Sequence, residues 1–351
     1  LLLDPYYPSH LGGLRLASAE PQFLKLDPAL GFAPRFDQIS ASAWDALKLM
    51  VLGFPHNPTA TTGQQAWVDE AAERAVRHGV VFAHDNPYVD LALEGEAPAL
   101  LRPVLRGLLH GACWLMGRAA DAVVVAKDGL DAPFGGPARV VPVRNYALGD
   151  VAPRLHAPGP VTLVHMGALS RARGSDQMLA ALALCPPETR LCLIGRFTDG
   201  SEADFWAKAA ALGVAARIEA LGWLSHKAAL AAAARCDIAL ILFQPGAENH
   251  RLALPHKLFD AMLAGLPVIA PADGVEVAAV IGASRCGALV DASDPAAIAA
   301  EIGFLADSAR RAAMGRAGRE AALARFAWGA EAARLVALYG RLTGFMPRQQ
   351  D

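Results

Sequence analysis

The sequence predicts the α/β fold class: a doubly wound parallel sheet preceded by a shorter, incomplete α/β fragment. Three observations lead there. Six strand-like runs alternate with apolar helical segments between positions 161 and 290. An earlier strand–helix–strand unit fills positions 46–85. The chain has 351 residues, 54% of them hydrophobic, which gives length for two domains and excludes a disordered chain.

The elements follow in order. Residues 1–40 are rich in Pro and Gly, with short apolar runs such as "QFLKL". A chain that starts at Leu1 and runs straight into "LLLDPYYPSH" reads as the interior strand and loop of a truncated protein. "ALKLMVLGFP" (46–55) is a buried strand, and "GQQAWVDEAAERAVRHG" (63–79) has helical periodicity with Gly79 as its stop. "VVFAHD" (80–85) is a second strand, and a βαβ unit makes the two parallel. "VLRGLLHGACWLMGRA" (104–119) reads as a core helix because its positive charge is sparse; the alternative, with Arg106 and Arg118 at a polar edge, is peripheral contact with a membrane surface. "DAVVVAKDGL" and "ARVVPV" are short strands, and "RLHAPGP" (154–160) is a linker.

From there the strand-like runs are "VTLVHMG", "TRLCLIG", "ARIEALG", "DIALILF", "PVIA" and "GALV". Helical segments at 175–184, 202–212, 226–235, 255–264, 275–283 and 295–307 separate or follow them, and 308–326 and 328–342 close the chain. Such alternation gives a Rossmann-like doubly wound sheet, whose ligands bind at the carboxyl ends of the strands.

Composition narrows the function. A net charge of −2 gives no electrostatic basis for nucleic-acid binding. The five cysteines (Cys113, Cys185, Cys192, Cys236, Cys286) show no C-x-x-C spacing and read as buried thiols of a reducing, cytoplasmic compartment. No apolar run is long enough to span a bilayer.

Two constellations carry chemistry. "FPHNPTATTG" follows the first strand of the βαβ unit and "HDNPY" ends the second, so Asn57, Asp85 and Tyr88 lie near the carboxyl ends of adjacent parallel strands. An aspartate can hold a pyridine nitrogen protonated, and an amide and a phenol can hydrogen-bond a ring hydroxyl, as a pyridoxal ring requires. Asn-Pro and Asp-Asn-Pro are also ordinary turn chemistry.

Through "DPYYPSHLGG", "LGFPHNPTA" and "HGVVFAHDNPYVDLAL", residues 1–101 resemble the large domain of class I/II pyridoxal-phosphate aminotransferases, nearest the LL-diaminopimelate aminotransferase-like branch. The resemblance implies that Asn57 and Tyr88 contact the cofactor O3′ and that Asp85 pairs with its ring nitrogen. The family's Schiff-base lysine, in a Ser-x-x-Lys context, has no counterpart after Tyr88; the next lysine is Lys127 in "VVVAKDGL". Without it nothing tethers the cofactor or serves as base, so pyridoxal phosphate binding is expected to be vestigial and the fragment inactive as a transaminase.

The second constellation opens with Gly167 and "ALSRARGSDQ": a glycine turn, Arg171 and Arg173, then a helix start with Ser175 as its N-cap. Together these make an anion site, although a solvated basic loop has the same pattern. In "RLALPHKLFDAMLAGLPVIA" (251–270), Pro255 suits a first turn, and Gly265 with Pro267 stops the helix. Lys257 then sits in the first turn, against the helix dipole, a position a bound phosphate would make favourable. Asp260, one turn on, is placed to accept from a sugar or ribose diol.

"MGALSRARG", "LIGRF", "LGWLSH", "CDIALILF", "HKLFDAMLAGLPVIA" and "CGALVDASDPAAIA" resemble, in family order, the GT-B glycosyltransferases of family 4 (glycosyl transferases group 1). The resemblance runs from about residue 102 to 345 and is strongest in the nucleotide-sugar-binding C-terminal domain. It implies that Gly167, Arg171 and Arg173 form the pyrophosphate loop, that Lys257 is a second phosphate contact and that Asp260 replaces the glutamate on the donor ribose. It also implies retaining transfer from a nucleotide-diphosphate sugar to an unknown acceptor, with no metal or other cofactor, on proteins that often sit on the inner membrane leaflet. The loop's first arginine is Ala168 here, and the Glu-x7-Glu pair reads Leu252 and Asp260. The expected domains are therefore 1–101 (aminotransferase fragment), 102–158 (remnant of the acceptor domain and linker) and 159–345 (nucleotide-sugar domain). A truncated acceptor domain cannot close a cleft around the reaction, so weak or absent transfer is expected.

Overall fold

The computed structural model describes residues 1–6, 10, 11, 14, 19–54, 56, 61, 63–85, 102–136, 140–246 and 248–343. Two compact units form, one of Leu1–Val143 with Ala333–Asp351, the other of Arg144–Ala332. The units follow packing, whereas the domains expected from sequence follow the seams between family patterns. Residues 102–143 accordingly fall in the first unit, and the strap 144–158 in the second.

In the first unit, β1 (Leu2–Asp4) pairs in parallel with β2 (Phe23–Lys25). A short helix α1 (Ala41–Ala46) begins at Ser40, whose Oγ accepts from the Ala43 N–H. The expected βαβ unit is present as β3 (Leu49–Gly53), α2 (Gln65–His78) and β4 (Val81–Asp85). β3 and β4 run parallel, with Leu49 opposite Val81 and Gly53 opposite Asp85. Gly79 ends α2 at φ 63°, a left-handed conformation that costs glycine little. Leu3, Leu24, Phe36, Trp44, Met50, Leu52 and Ala75 bury one another between these elements.

Helix α3 (Arg102–Ala119) precedes the parallel pair β5 (Val123–Val125) and β6 (Val140–Pro142). Gly117 lets α3 press on the next turn: a Cβ there would meet the Phe134 carbonyl oxygen at 2.4 Å. The expected core helix is only half-packed. Cys113 is buried, while Val104, Leu108 and Leu115 are 60–66% exposed along the other face.

The second unit holds the regular sheet. Its strands are β7 (Thr162–Met166), β8 (Arg190–Ile194), β9 (Ile218–Gly222), β10 (Ile238–Leu240), β11 (Val268–Pro271) and β12 (Gly287–Val290). All pair in parallel in the order β12-β11-β10-β7-β8-β9. Strand order reverses between β7 and β10, which is where a doubly wound sheet opens a binding crevice. Side chains alternate between two cores: Leu191 and Leu193 enter one, Cys192 and Ile194 the other. A sheet covered on both faces explains why the strands read as continuous apolar runs.

The helices between strands are α4 (Ser175–Leu184), α5 (Glu202–Ala211), α6 (His226–Ala233), α7 (Glu248–Arg251), α8 (His256–Leu263) and α9 (Val275–Ser284). α10 (Pro295–Phe304), α11 (Ser308–Arg325) and α12 (Trp328–Thr343) follow. Asp294 and Asp307 cap α10 and α11, each accepting from first-turn N–H groups.

At the amino end of the sheet, Asp237 fastens the strap. Its Oδ2 accepts from the Thr162 N–H at 2.9 Å, and its Oδ1 from Arg154 Nε and Nη2 at 3.1 and 3.0 Å. Arg311, fully buried, donates to the carbonyls of Leu305, Ala306 and Ala157, closing α10 and holding the strap. Burial would raise the Asp237 carboxyl, but the nearby His156 ring, the Thr162 N–H and Arg154 outweigh it and bring it below the usual range.

Candidate functional site

The site is built where β7 ends. Gly167 follows Met166 at φ 93°, and its N–H donates to the Ile194 carbonyl at 2.7 Å. Gly195 must be glycine, because a Cβ there would fall 1.8 Å from the Gly167 oxygen. The backbones of the β7 and β8 ends therefore touch, leaving the space above Gly167 open to side chains from elsewhere. The chain then turns through Arg171–Arg173 to Gly174 at φ 82°. Ser175, expected as the N-cap, is instead the first helical residue, and Gly174 takes the cap position. That position needs glycine, since a Cβ at Gly174 would meet the Leu242 carbonyl oxygen at 2.4 Å.

Lys257 enters this space from the first turn of α8. A Cβ on Gly167 would lie 3.7 Å from Lys257 Cε and 3.8 Å from Nζ. Its Nζ stands 3.1 Å from His165 Nε2, on β7 itself. Arg173 and Lys257 share the ring of Phe243, with Cζ 5.9 Å and Nζ 6.0 Å from its centroid. His250 stacks on the same ring, centroid to centroid 4.9 Å.

This is a concentration of positive charge. Among the described residues, neither Lys257 nor Arg173 makes an ion pair with a carboxylate. Burial, then repulsion from Arg173, brings the Lys257 ammonium down to about 7. Burial also lowers Arg173. His165 is held well below its ordinary range by burial and then by the charge on Lys257, so its ring is neutral. A buried cation set beside another carries an unmet electrostatic cost. An anion between them would remove it.

Asp260 lies one turn along α8, its side chain 10% exposed. Its Oδ1 faces His226 Nε2 and its Oδ2 faces His256 Nδ1, each at 2.9 Å. Burial would raise its carboxyl; the hydrogen bonds from His226 and His256 prevail and hold it low. Each oxygen keeps a lone pair for a further donor.

The structure does not bring all the expected residues together. Gly167, Arg173 and Lys257 converge. Arg171 faces the other way: its guanidinium pairs with Asp204 and lies 3.8 Å from Asp176, while its N–H donates to Asp199. Leu252, at the first position of the carboxylate pair, is at the surface. In the first unit, Asp85 does stand at the carboxyl end of β4, with its Oδ2 2.7 Å from His10 Nε2. Asn57 and Tyr88 lie outside the described residues. Among the described residues no lysine comes within ion-pair distance of Asp85.

His165, Phe243, His250 and His226 were not singled out from sequence. His165 carried a signal, a lone histidine within the apolar run "VTLVHM". His226 did too, directly after Ser225, whose Oγ caps α6. Phe243 and His250 had none.

The family model for glycosyl transferases group 1 matches residues 160–308, and that for aminotransferase class I and II matches residues 1–125. The chain is chimera-like. Its amino-terminal part is 33% identical over 98 residues to an LL-diaminopimelate aminotransferase of Dehalococcoides mccartyi, covering 28% of this chain and 25% of that protein. It is 34% identical over 88 residues to the transaminase BacF of Bacillus subtilis, covering 25% and 22%. The chain thus spans about a quarter of the length of the curated aminotransferases it matches.

Among solved structures, Alr3699/HepE of Anabaena in complex with UDP-glucose matches with a TM-score of 0.63 at 18% identity, over 95% of this chain and 89% of that one. WaaG, a glycosyltransferase of lipopolysaccharide biosynthesis, matches with a TM-score of 0.60 at 17% identity, over 98% and 99%. The fold is α/β with a parallel sheet, and its GT-B glycosyltransferase-like neighbours cover most of the chain. No helix among the described residues is long and apolar enough to cross a membrane.

Proposed function

We propose that the second unit binds a nucleotide-diphosphate sugar at the carboxyl end of β7, as the donor half of a retaining glycosyltransferase. One observation carries the reading: Lys257 stands over Gly167 and shares the Phe243 ring with Arg173, neither having a carboxylate partner among the described residues, at the point where strand order reverses. A diphosphate supplies the missing negative charge, and the glycine leaves room for it beside the backbone. The UDP and UDP-glucose complexes of the Anabaena neighbour support the same ligand class.

In transfer, charge develops on the diphosphate as the glycosidic bond breaks. Lys257 and Arg173 stabilise that charge, which is electrostatic help on the leaving-group side. The lone pairs left on Asp260 accept from the ribose hydroxyls. Arg171 contributes as part of the loop backbone, its side chain being engaged elsewhere. The acceptor side, which family members supply from a separate domain, is the weak part of the machinery, so transfer is slow or absent. The first unit is an aminotransferase-derived fragment in which pyridoxal phosphate binding is vestigial.

Thermal scanning of the chain with UDP-, GDP- and dTDP-sugars tests this. At least one sugar nucleotide raises the melting temperature, and Lys257→Ala abolishes the shift. No shift with any of them removes the reading. For the first unit, added pyridoxal phosphate gives no absorbance band that borohydride can fix to the protein; such a band would restore the cofactor site.

A further inference from the structure

The cluster of His226, His256 and Asp260 has a geometry that sugar-nucleotide binding does not require. We propose that it is a binding site for a divalent transition-metal cation of the zinc class. His226 Nε2, His256 Nδ1 and an Asp260 oxygen all lie within 4.8 Å of one another. They come from two helices: His256 and Asp260 are four apart on one face of α8, and His226 is the first residue of α6. Bonds to such a cation run about 2.0–2.2 Å, so tetrahedral ligand atoms stand roughly 3.3–3.5 Å apart. The contacts of 2.9 Å to Asp260 and the outer limit of 4.8 Å bracket that spacing.

The donor set decides the class of ion. Two imidazoles and one carboxylate suit zinc, cobalt, nickel or iron, while magnesium and calcium prefer oxygen alone. The carboxylate is buried, so it is not one of the solvated acidic groups that populate surfaces. The rim is open: the His226 side chain is 42% exposed and the rings meet edge-on at 5.3 Å. Three protein ligands with an open face are the arrangement that leaves a position for water or a ligand oxygen. On binding, each imidazole gives its lone pair to the cation. The N–H that now faces Asp260 either moves to the other ring nitrogen or leaves as a proton to buffer. No electron changes hands.

The site shares Asp260 with the proposed ribose contact and rests otherwise on His226 and His256; its test does not use a sugar nucleotide, so its failure leaves the donor reading standing. The chain is stripped with a chelator and titrated with cobalt(II), zinc(II) and magnesium(II), with calorimetry and the cobalt visible spectrum as readouts. One equivalent of cobalt should give the intense bands of a low-coordinate nitrogen–oxygen site, and zinc should displace it. His226→Ala and His256→Ala should each weaken the metal by about tenfold or more. The metal-free melting temperature of each variant shows that it has folded. A double variant that binds as the parent does, or a parent with no saturable cobalt binding, overturns the proposal. So does magnesium binding as tightly as zinc.

Discussion

Lys257 is held at the amino end of α8, beside Arg173 and, among the described residues, without a carboxylate partner, a placement that costs the protein stability. Lys257→Met keeps the length of the side chain and its packing against Phe243 but removes the charge. The ligand-free variant should therefore melt higher than the parent by scanning calorimetry. A lysine kept for structure would give the opposite sign. Trading stability for a binding charge in this way is what a functional site does. His165 fits the same account. Its neutral ring fills the floor under the ammonium, where a charged one would add a third cation.

At the scale of elements, the β7–α4 and β10–α8 connections form the crevice, and the strap anchored on Asp237 closes the far end of the sheet. The Asp237 carboxyl lies below its unfolded value of about 3.9, so it contributes stability above that pH. That contribution fades as pH falls through the folded value. Asp237→Asn should lose about 3–5 kcal/mol at neutral pH, because a buried pair is broken and Arg154 is left uncompensated. Its acid unfolding limb should also be flatter than the parent's, which denaturant melts from pH 3 to 7 would reveal. These elements were legible in the sequence where periodicity is strong. The segments 175–184, 295–307 and 308–326 correspond to α4, α10 and α11 within a few residues. What escaped was tertiary. Gly174 takes the cap in place of Ser175, and its need to be glycine comes from Leu242, distant in sequence. Arg171 leaves the anion site only because α5 brings Asp204 beside it. The exposed stripe of α3 could not be told from a core face by spacing alone.

For the whole molecule, two family models match different parts of one chain. The βαβ unit of the first has its own core around Trp44 and Met50, and the six-stranded sheet of the second has a core on each face. Separate cores predict two calorimetric transitions, of which a sugar nucleotide raises one; a single transition would mean that the two parts unfold as one body. The site, however, is built from β7, the segments that follow β7 and β10, and α7 and α8 of the second unit. The most direct measurement of the central claim is a calorimetric titration of UDP-, GDP- and dTDP-sugars into the parent and Lys257→Met. One sugar nucleotide should bind the parent with a stoichiometry of about one, and the variant more than tenfold more weakly. That loss is about 1.5–3 kcal/mol for a charge-assisted contact. Equal affinity in the two proteins, or no binding to the parent, would contradict the assignment.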